Sequence, residues 1–427
     1  MSRYSDIFYI NWDKKLMSNA HIQTIDISAL NTSRIPYALH SDSFYEADEQ
    51  RKIFEGNTWV FCGLEIEIPK QGDYKTTWIG STPVIVLRDL SNNIQVLVNR
   101  CAHKGSLICY KAKGTVDSLH CPYHNWIYDL QGNLKKVAFA AGVRGKGGIP
   151  NDFNYDEHSL RSLKVATFSG LIFASFSETM PDIREYLGLG VQKHIERTVG
   201  RKMKILGTYK QTMHNNWKLY MENTRDSYHA SLLHVFFTTF RLNRLDMEGG
   251  MAISENGWNS ISYTESVDQF DDSVYDGNRS LKADVSLADP SMVKQFKEFE
   301  DNIVSSITSV FPNFILQQIG NSLAVRQLIP KGVNESELVW TLLGTEDDTD
   351  DEHLARLKQS NLVGPAGLVS LEDGIIGSFI QRGIQHPQAK DKAVIRMGGD
   401  EVASVNSRVT ETAVRGFWKA YSSCMQD

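Results

Sequence analysis

Residues 101–124 read CAHKGSLICYKAKGTVDSLHCPYH, and they carry four metal-ligand side chains in two short pairs. Cys101 and His103 are separated by one residue, Cys121 and His124 by Pro122 and Tyr123, and the seventeen residues from Lys104 to His120 lie between the pairs. Each pair offers one thiolate and one imidazole from a tight turn. That suits a [2Fe-2S] cluster in which one iron takes two Cys and the other takes two His. Two Cys and two His are also a zinc set, but zinc modules pair Cys with Cys and His with His at spacings of about two to five residues. The mixed Cys-x-His pair is poor zinc spacing. A chance grouping is disfavoured as well, because three of the five Cys, counting Cys109, and three of the twelve His, counting His120, fall in this stretch.

Working outward, the flanks are β-rich. Before the motif come NTWVFCGLEIEIP, DYKTTWIGSTPVIVLRD and IQVLVNR, and after it come NWIYDLQGNLKK and SLRSLKVATFSGLIFASF. Apolar residues alternate between Gly, Pro and Asn turns, as in short antiparallel strands. Residues 57–178 therefore read as a small all-β domain around the cluster. The GVRGKGG run at 142–148 lacks the Ser or Thr after Lys146 that a phosphate loop needs, and it reads as a surface loop. Residues 1–56, with His21, Pro36 and His40, read as an irregular arm that packs on the body or on a neighbouring subunit. Residues 179–427 predict a larger domain. Helices are expected at 182–197, 213–234, 291–307, 350–361, 366–382 and 410–424, and strands at 203–211, 259–265, 310–319, 322–330 and 337–345. No βαβ rhythm repeats, so the fold class is α+β, an antiparallel sheet flanked by helices.

At 427 residues the chain is long enough for two or three domains. The net charge of −6 argues against a nucleic-acid binder, whose affinity rests on Lys and Arg against phosphates. No uninterrupted apolar run of the roughly 20 residues that span a bilayer is visible, and the start, MSRYSDIFYINWDKK, lacks a secretory pattern. Cys62, Cys109 and Cys424 remain as an odd set of reduced thiols, which with the missing leader points to the cytoplasm.

A second constellation lies about a hundred residues further on, in NNWKLYMENTRDSYHASLLH, residues 215–234. Glu222, Asp226, His229 and His234 follow the spacing Glu-x3-Asp-x2-His-x4-His. His229 and His234 are five apart, roughly 140° around an ideal helix, so both reach one metal only if the helix is distorted between them. Two His and one carboxylate with open positions are the ligand set of mononuclear non-haem Fe(II) oxygenases. The best candidate for the third ligand lies in GPAGLVSLEDGIIG, where Asp373 sits on a predicted helix whose opposite side is apolar, with the adjacent Glu372 as its rival.

With both motifs in place, the chain resembles the large, catalytic subunits of Rieske aromatic-ring-hydroxylating dioxygenases over almost its whole length after residue 50. The resemblance implies a [2Fe-2S] cluster on Cys101, His103, Cys121 and His124, and a mononuclear Fe(II) on His229, His234 and Asp373. It makes Asp226 the bridging acid between an iron ligand and a cluster His of the next subunit. It further implies a head-to-tail homotrimer, or an α3β3 assembly with a small beta subunit, fed with electrons from NADH through a separate ferredoxin or flavin reductase. Lys104, Lys111 and Lys113 ring the first cluster loop, as an acidic electron donor would require or simply as solvated lysines.

Within the family the chain is most similar to the branch acting on aromatic carboxylates, terephthalate dioxygenases above all, with anthranilate dioxygenases and salicylate hydroxylases also similar. A carboxylate in an apolar pocket calls for an Arg fork. Arg326 lies on the strand LAVRQLIP among apolar neighbours, where it meets either a substrate carboxylate or a protein one. The resemblance places a second substrate arginine at Arg408. Leu232, Val235, Phe236, Ile315 and Ile375 are candidate pocket walls, equally readable as core. The activity implied is addition of O2 to the ring of an aromatic acid, giving a cis-dihydrodiol or its rearomatised product. A ring monooxygenase, an oxygenase of an indole-acetic acid, and a bare Rieske electron carrier are the alternatives. The last leaves about 250 residues without a purpose.

Overall fold

Runs of alternating apolar residues between tight turns build the first half of the structure, a computed structural model that describes residues 25–282 and 284–426. Three small antiparallel sheets arise there. Ile94–Val98, Thr82–Arg88, Asp73–Ile79 and Lys113–Thr115 form one, in that order. Leu119–His120, Ile127–Tyr128 and Leu134–Lys136 form the second; Lys164–Phe168, Leu171–Ser175 and Val60–Leu64 form the third. Ile85, Leu87, Leu97, Leu119, Trp126 and Tyr128 share a core with Cys101 and Cys121. The ligand loops are thus stapled to a β scaffold, and the glycine-rich 142–148 run is a largely exposed loop beside it.

The second half is built on a seven-stranded antiparallel sheet. Its order is Met203–Met213, Glu335–Thr345, Ser322–Gly332, Phe314–Ile319, Ile303–Val310, Ser260–Glu265 and Gly249–Ile253. The two-residue period of a strand divides its side chains between two faces. Phe314, Leu316, Leu323, Val325 and Leu343 pack with Leu187, Val191 and Ile195 of the helices Ile183–Leu187 and Leu189–Val199. On the opposite face, Ile315, Ala324, Leu328 and Trp340 pack with Trp217 and Tyr220 of the helix Trp217–Asn223 and with the C-terminal helix Thr412–Gln426. Burying each such large side chain stabilises the fold by about 1.5–3 kcal/mol.

Several sequence expectations are corrected here. The segment 291–307 is not a helix: Pro290–Met292 is a single 3-10 turn, and Ile303–Val310 is a strand paired on both sides. Its sequence, IVSSITSV, is β-branched, and burial inside the sheet outweighs the helical spacing seen upstream. The predicted strand 310–319 is broken at residues 311–313, and the predicted helix 213–234 is split into Trp217–Asn223 and Ser227–Leu233. Gly249–Ile253 went unpredicted because an edge strand opening on two glycines has little local propensity.

The N-terminal residues that the structure describes pack on the same chain. Arg34–Pro36 pairs with Lys392–Val394, and Glu49 accepts hydrogen bonds from Trp217 Nε1 (2.8 Å), Lys218 Nζ (2.5 Å) and Tyr421 Oη (2.9 Å). His21 lies outside the described residues. The stretch Asp350–Gly383 has a window of mean hydropathy 1.2, long and apolar enough on composition to cross a membrane, contrary to the sequence expectation. Gly364-Pro365-Ala366-Gly367 breaks it into two helices, Asp350–Val363 and Leu368–Gly383, because Pro365 cannot continue the first.

Two consequences are measurable. His194 is buried against Ser306 (2.9 Å), and burial lowers its pKa to about 4. The unfolded chain binds this proton near pH 6.5, so stability is full above that pH and falls by about 3 kcal/mol as pH drops to about 4. Denaturant melts against pH should show this slope, and His194→Gln should flatten it. In the buried Lys218–Glu49 pair, Glu49→Ala strands an ammonium and should destabilise by about 3–5 kcal/mol in urea melts, more than Lys218→Met does.

Candidate active site: two metal centres and an arginine-lined cavity

The two cluster loops are built alike. Cys101 N–H donates to the Ser106 carbonyl and Gly105 N–H to the Cys101 carbonyl; Cys121 N–H donates to the Trp126 carbonyl and Asn125 N–H to the Cys121 carbonyl. Each turn closes on a residue with positive φ, Gly105 at +75° and Asn125 at +52°, a conformation that Gly and Asn tolerate best. Cys101 and Cys121 are buried, and the Tyr128 hydroxyl lies 3.2 Å from Cys101 Sγ. His103 and His124 sit together at the tip, ring centroids 4.5 Å apart, with His103 stacked on Trp126 at 4.8 Å. His124 Nδ1 is buried without a partner, the condition that a metal bond relieves. Among the described residues, only His229, His234 and Asp373 bring three ligand atoms within 4.8 Å of one another. Paired thiols below and paired imidazoles above fit two irons.

At the second centre the helix problem is solved by ending the helix. Asp226 caps Ser227–Leu233, its Oδ1 accepting from the backbone N–H of Tyr228 (2.8 Å) and His229 (3.2 Å). His234 follows the last helical residue with φ −84° and ψ 76°, and this swing brings its ring to 5.4 Å from that of His229. Both Nε2 atoms face Asp373 Oδ1, at 3.5 Å and 3.4 Å. Both Nδ1 atoms face a second carboxylate: His229 meets Asp226 Oδ2 at 3.6 Å, and His234 meets Glu372 Oε2 at 2.7 Å. Glu372 therefore stands behind His234, and Asp373 stands between the imidazoles. Such outward carboxylates fix ring orientation in metal sites.

Burial disfavours a charged His229, yet the Asp226 and Asp373 carboxylates prevail and raise its pKa to about 10. Burial likewise works against the Asp373 carboxylate, but His229, His234 and Asn223 hold its pKa below the ordinary value. The site is electrostatically made for a cation. Asn223, which sequence reasoning missed, donates to Asp373 Oδ1 at 3.1 Å and lies 3.3 Å from His229 Nε2. Glu222 is not part of the set: it accepts from Trp418 Nε1 (3.0 Å) and contacts His40 (2.7 Å). Asp373 reaches the histidines because its helix comes close. Gly377, one turn on, leaves no room for a side chain against Asn215, and Gln381, a further turn on, accepts from the Asn216 N–H at 2.8 Å.

Beneath the metal site lies a cavity of about 680 Å³, open mouth included. Its floor is the sheet face carrying Ser262, Thr264, Ile307, Gln317, Arg326 and Trp340. Arg326 and Arg408 both line it. Arg326 donates to Tyr220 Oη (2.7 Å) and to Gln317 Oε1, and its guanidinium lies 4.4 Å over the Trp340 ring. Arg408 donates to Thr264 Oγ1 (3.0 Å) and to Asn243 Oδ1, and burial lowers its pKa to about 10. Neither has a carboxylate partner among the described residues, which removes the protein salt bridge as an account of Arg326.

The expected pocket walls do not line this cavity. Ile315 is in the core, Ile375 is 52% exposed on the outer side of its helix, and Leu232, Val235 and Phe236 are not in the lining. Phe237, Ile307, Ile319, Val363 and Val369 take their place. No local signal marks these positions, since their facing depends on where neighbouring elements end.

The comparisons with known proteins agree with this geometry. The family model described as the Rieske [2Fe-2S] domain matches residues 58–145, and that of the ring hydroxylating alpha subunit (catalytic domain) matches residues 201–427. The terephthalate 1,2-dioxygenase terminal oxygenase component subunit alpha 2 of Comamonas sp. is 50% identical over 93% of this chain and 96% of its own. The anthranilate 1,2-dioxygenase large subunit of Burkholderia cepacia is 39% identical over 92% and 93%. A solved naphthalene 1,2-dioxygenase from Rhodococcus sp. shares the fold, with a TM-score of 0.77 at 22% identity over 92% of this chain and 94% of that one. The catalytic-domain match spans more than half of the chain, and the protein is a member of the Rieske ring-hydroxylating oxygenases, an alpha subunit with one [2Fe-2S] cluster and one mononuclear non-haem iron.

Proposed function

We propose that this chain is the terminal oxygenase of a multicomponent dioxygenase whose substrate is an aromatic dicarboxylate of the terephthalate type. The observation that carries this reading is the pair of buried arginines, Arg326 and Arg408, both lining one cavity and both without a protein carboxylate. A buried guanidinium without a counter-charge is costly, and an anionic ligand offsets that cost. Two such groups ask for two carboxylates. The 50% identity to a terephthalate dioxygenase alpha subunit supports the same substrate class.

In this reading His229, His234 and Asp373 hold the iron, Cys101 and Cys121 one iron of the cluster, and His103 and His124 the other. When bound, the cluster supplies single electrons and the iron activates O2, so that aromatic acid, O2, NADH and a proton give a cis-dihydrodiol and NAD+. Glu372 and Asp226 hold the two imidazoles with Nε2 inward. The arginines fix the ring by its acid groups, while Phe237, Ile307, Ile319 and Val369 give it an apolar bed. NADH is oxidised on a separate ferredoxin or flavin reductase, docked against exposed Lys104, Lys111 and Lys113. Copies associate head to tail as a trimer, with or without a small beta subunit, and Asp226 links the iron of one chain to the cluster of the next. Two exposed apolar surfaces support such a contact: Leu371, Ile375 and Phe379 on the Asp373 helix, and Tyr110, Tyr123 and Phe139 around the cluster tip. Five cysteines without a disulfide suit the reducing cytoplasm.

Metal analysis tests the ligand assignment. Asp373→Ala should lose the mononuclear iron and keep the Rieske absorption and paramagnetic signal, whereas Glu372→Gln should weaken iron binding roughly 10- to 100-fold. Turnover tests the reaction. With NADH and a surrogate reductase, O2 uptake should depend on terephthalate, and labelled O2 should place two labelled atoms in the product. One labelled atom would mean monooxygenation, and uptake stimulated only by salicylate or indole-3-acetate would sink the dicarboxylate reading.

A further inference from the structure

The two arginines of the cavity are not equivalent. A guanidinium binds a carboxylate best with two N–H groups on one edge. Arg408 spends Nη1 on Asn243 and Thr264 and keeps Nε and Nη2 buried without a partner. Those two nitrogens form one such edge, a complete fork. Arg326 is spent differently: Nη1 goes to Tyr220 and Nη2 to Gln317, and only Nε is left over. Nε is its one nitrogen with no partner, and the Nε–Nη2 edge is already engaged at Nη2 by Gln317.

The missing second donor is next to it. Gln317 and Arg326 lie on the same face of adjacent strands, since Ile315 pairs with Arg326 and Gln317 with Ala324. An arginine nitrogen can only donate, so the Gln317 atom facing it is the carbonyl oxygen and the orientation of the amide is fixed. Gln317 Nε2 is then left buried with no acceptor in a side chain that lines the cavity and is only 1% exposed. A buried amide N–H without an acceptor costs about 1–3 kcal/mol, and three further buried N–H groups in the same cavity share that condition.

We propose that Gln317 is a substrate-contacting specificity residue: its Nε2 and Arg326 Nε together make a split two-donor site for the second carboxylate of an aromatic dicarboxylate, whose first carboxylate takes the Arg408 fork. This rests on the dicarboxylate reading above and adds to it an order of anchoring. Arg408 is the anchor common to mono- and dicarboxylates. The Arg326–Gln317 pair selects for the second acid group, because a site built to donate N–H groups rejects a ligand that leaves them unmet. Gln317 is held for this task by Arg326, and Arg326 in turn by Tyr220 and the Trp340 ring.

Binding to the holoenzyme under anaerobic conditions, measured by calorimetry with terephthalate and with benzoate, tests the inference apart from turnover. For Gln317→Leu, the ratio of the terephthalate Kd to the benzoate Kd should rise at least tenfold over the unaltered protein. Gln317→Glu keeps the shape and pairs with Arg326 but puts a negative charge where the acid group binds, and the ratio should rise further, to about a hundredfold. Arg408→Gln should weaken both ligands together. The thermal melt and the Rieske signal of each variant report whether it is folded, and the isosteric Glu variant serves if the Leu variant is not. A ratio unchanged within twofold in folded Gln317→Leu and Gln317→Glu overturns the role of Gln317 while leaving the dicarboxylate reading intact. If the unaltered protein binds neither acid, the substrate reading itself falls and this inference with it.

Discussion

The active site depends on the approach of one helix to one short segment. Asp373, Gly377 and Gln381 recur every four residues along Leu368–Gly383 and share its inner face. Gly377 admits Asn215 where any side chain would collide with it, and Gln381 holds the backbone N–H of Asn216. Asn215 and Asn216 immediately precede the helix Trp217–Asn223, and Asn216 caps it by accepting from Lys218 N–H. The register of these two helices therefore sets where Asp373 meets His229 and His234. A slip of one residue would rotate the carboxylate by roughly 100° and lose the site.

That packing is reinforced from outside the catalytic half. Glu49 gathers Trp217, Lys218 and Tyr421 around one buried carboxylate, and His40 meets Glu222. Gln381 also donates to the His40 carbonyl (3.2 Å) and to Asn334 Oδ1 (3.0 Å). N-terminal residues, the site helix, the Asp373 helix and the C-terminal helix are thus joined in one polar network within an apolar core. Glu49, Trp217, Lys218, Tyr421 and Gln381 are buried and bonded, the condition under which polar groups rigidify a core rather than weaken it. The consequence is that His229, His234 and Asp373 hold their ligand atoms within 4.8 Å of one another, beside a cavity whose arginines keep specific N–H groups without a partner.

The division of labour follows from the same economy of hydrogen bonds. On the metal side, every ring nitrogen of His229 and His234 faces a carboxylate, two inward and two outward. On the substrate side, Tyr220, Gln317, Asn243 and Thr264 satisfy part of each guanidinium and leave the rest unmet. The unmet part is what an anionic ligand would meet.

How much of this was legible in the chain differs from feature to feature. Cys101, His103, Cys121 and His124 could be read directly, because a cluster ligand pair is local: each turn supplies its own Cys and His within four residues. Asp226, His229 and His234 were legible for the same reason, and the need for a helix distortion was visible from a five-residue spacing. The chain alone favoured Asp373 and left its neighbour Glu372 as the rival. Only tertiary structure separates them, because adjacent residues on a helix point about 100° apart and which one faces inward depends on the helix seated against Asn215. Arg326 was found on its strand but its partner was not, and Gln317, Asn223 and Phe237 carried no signal. The strand Ile303–Val310 was misread for a related reason, its state being decided by neighbours on both sides. Chemistry confined to a turn is written in the chain. Chemistry that requires two distant elements to face each other is decided by packing, since no local stretch contains the angle between them.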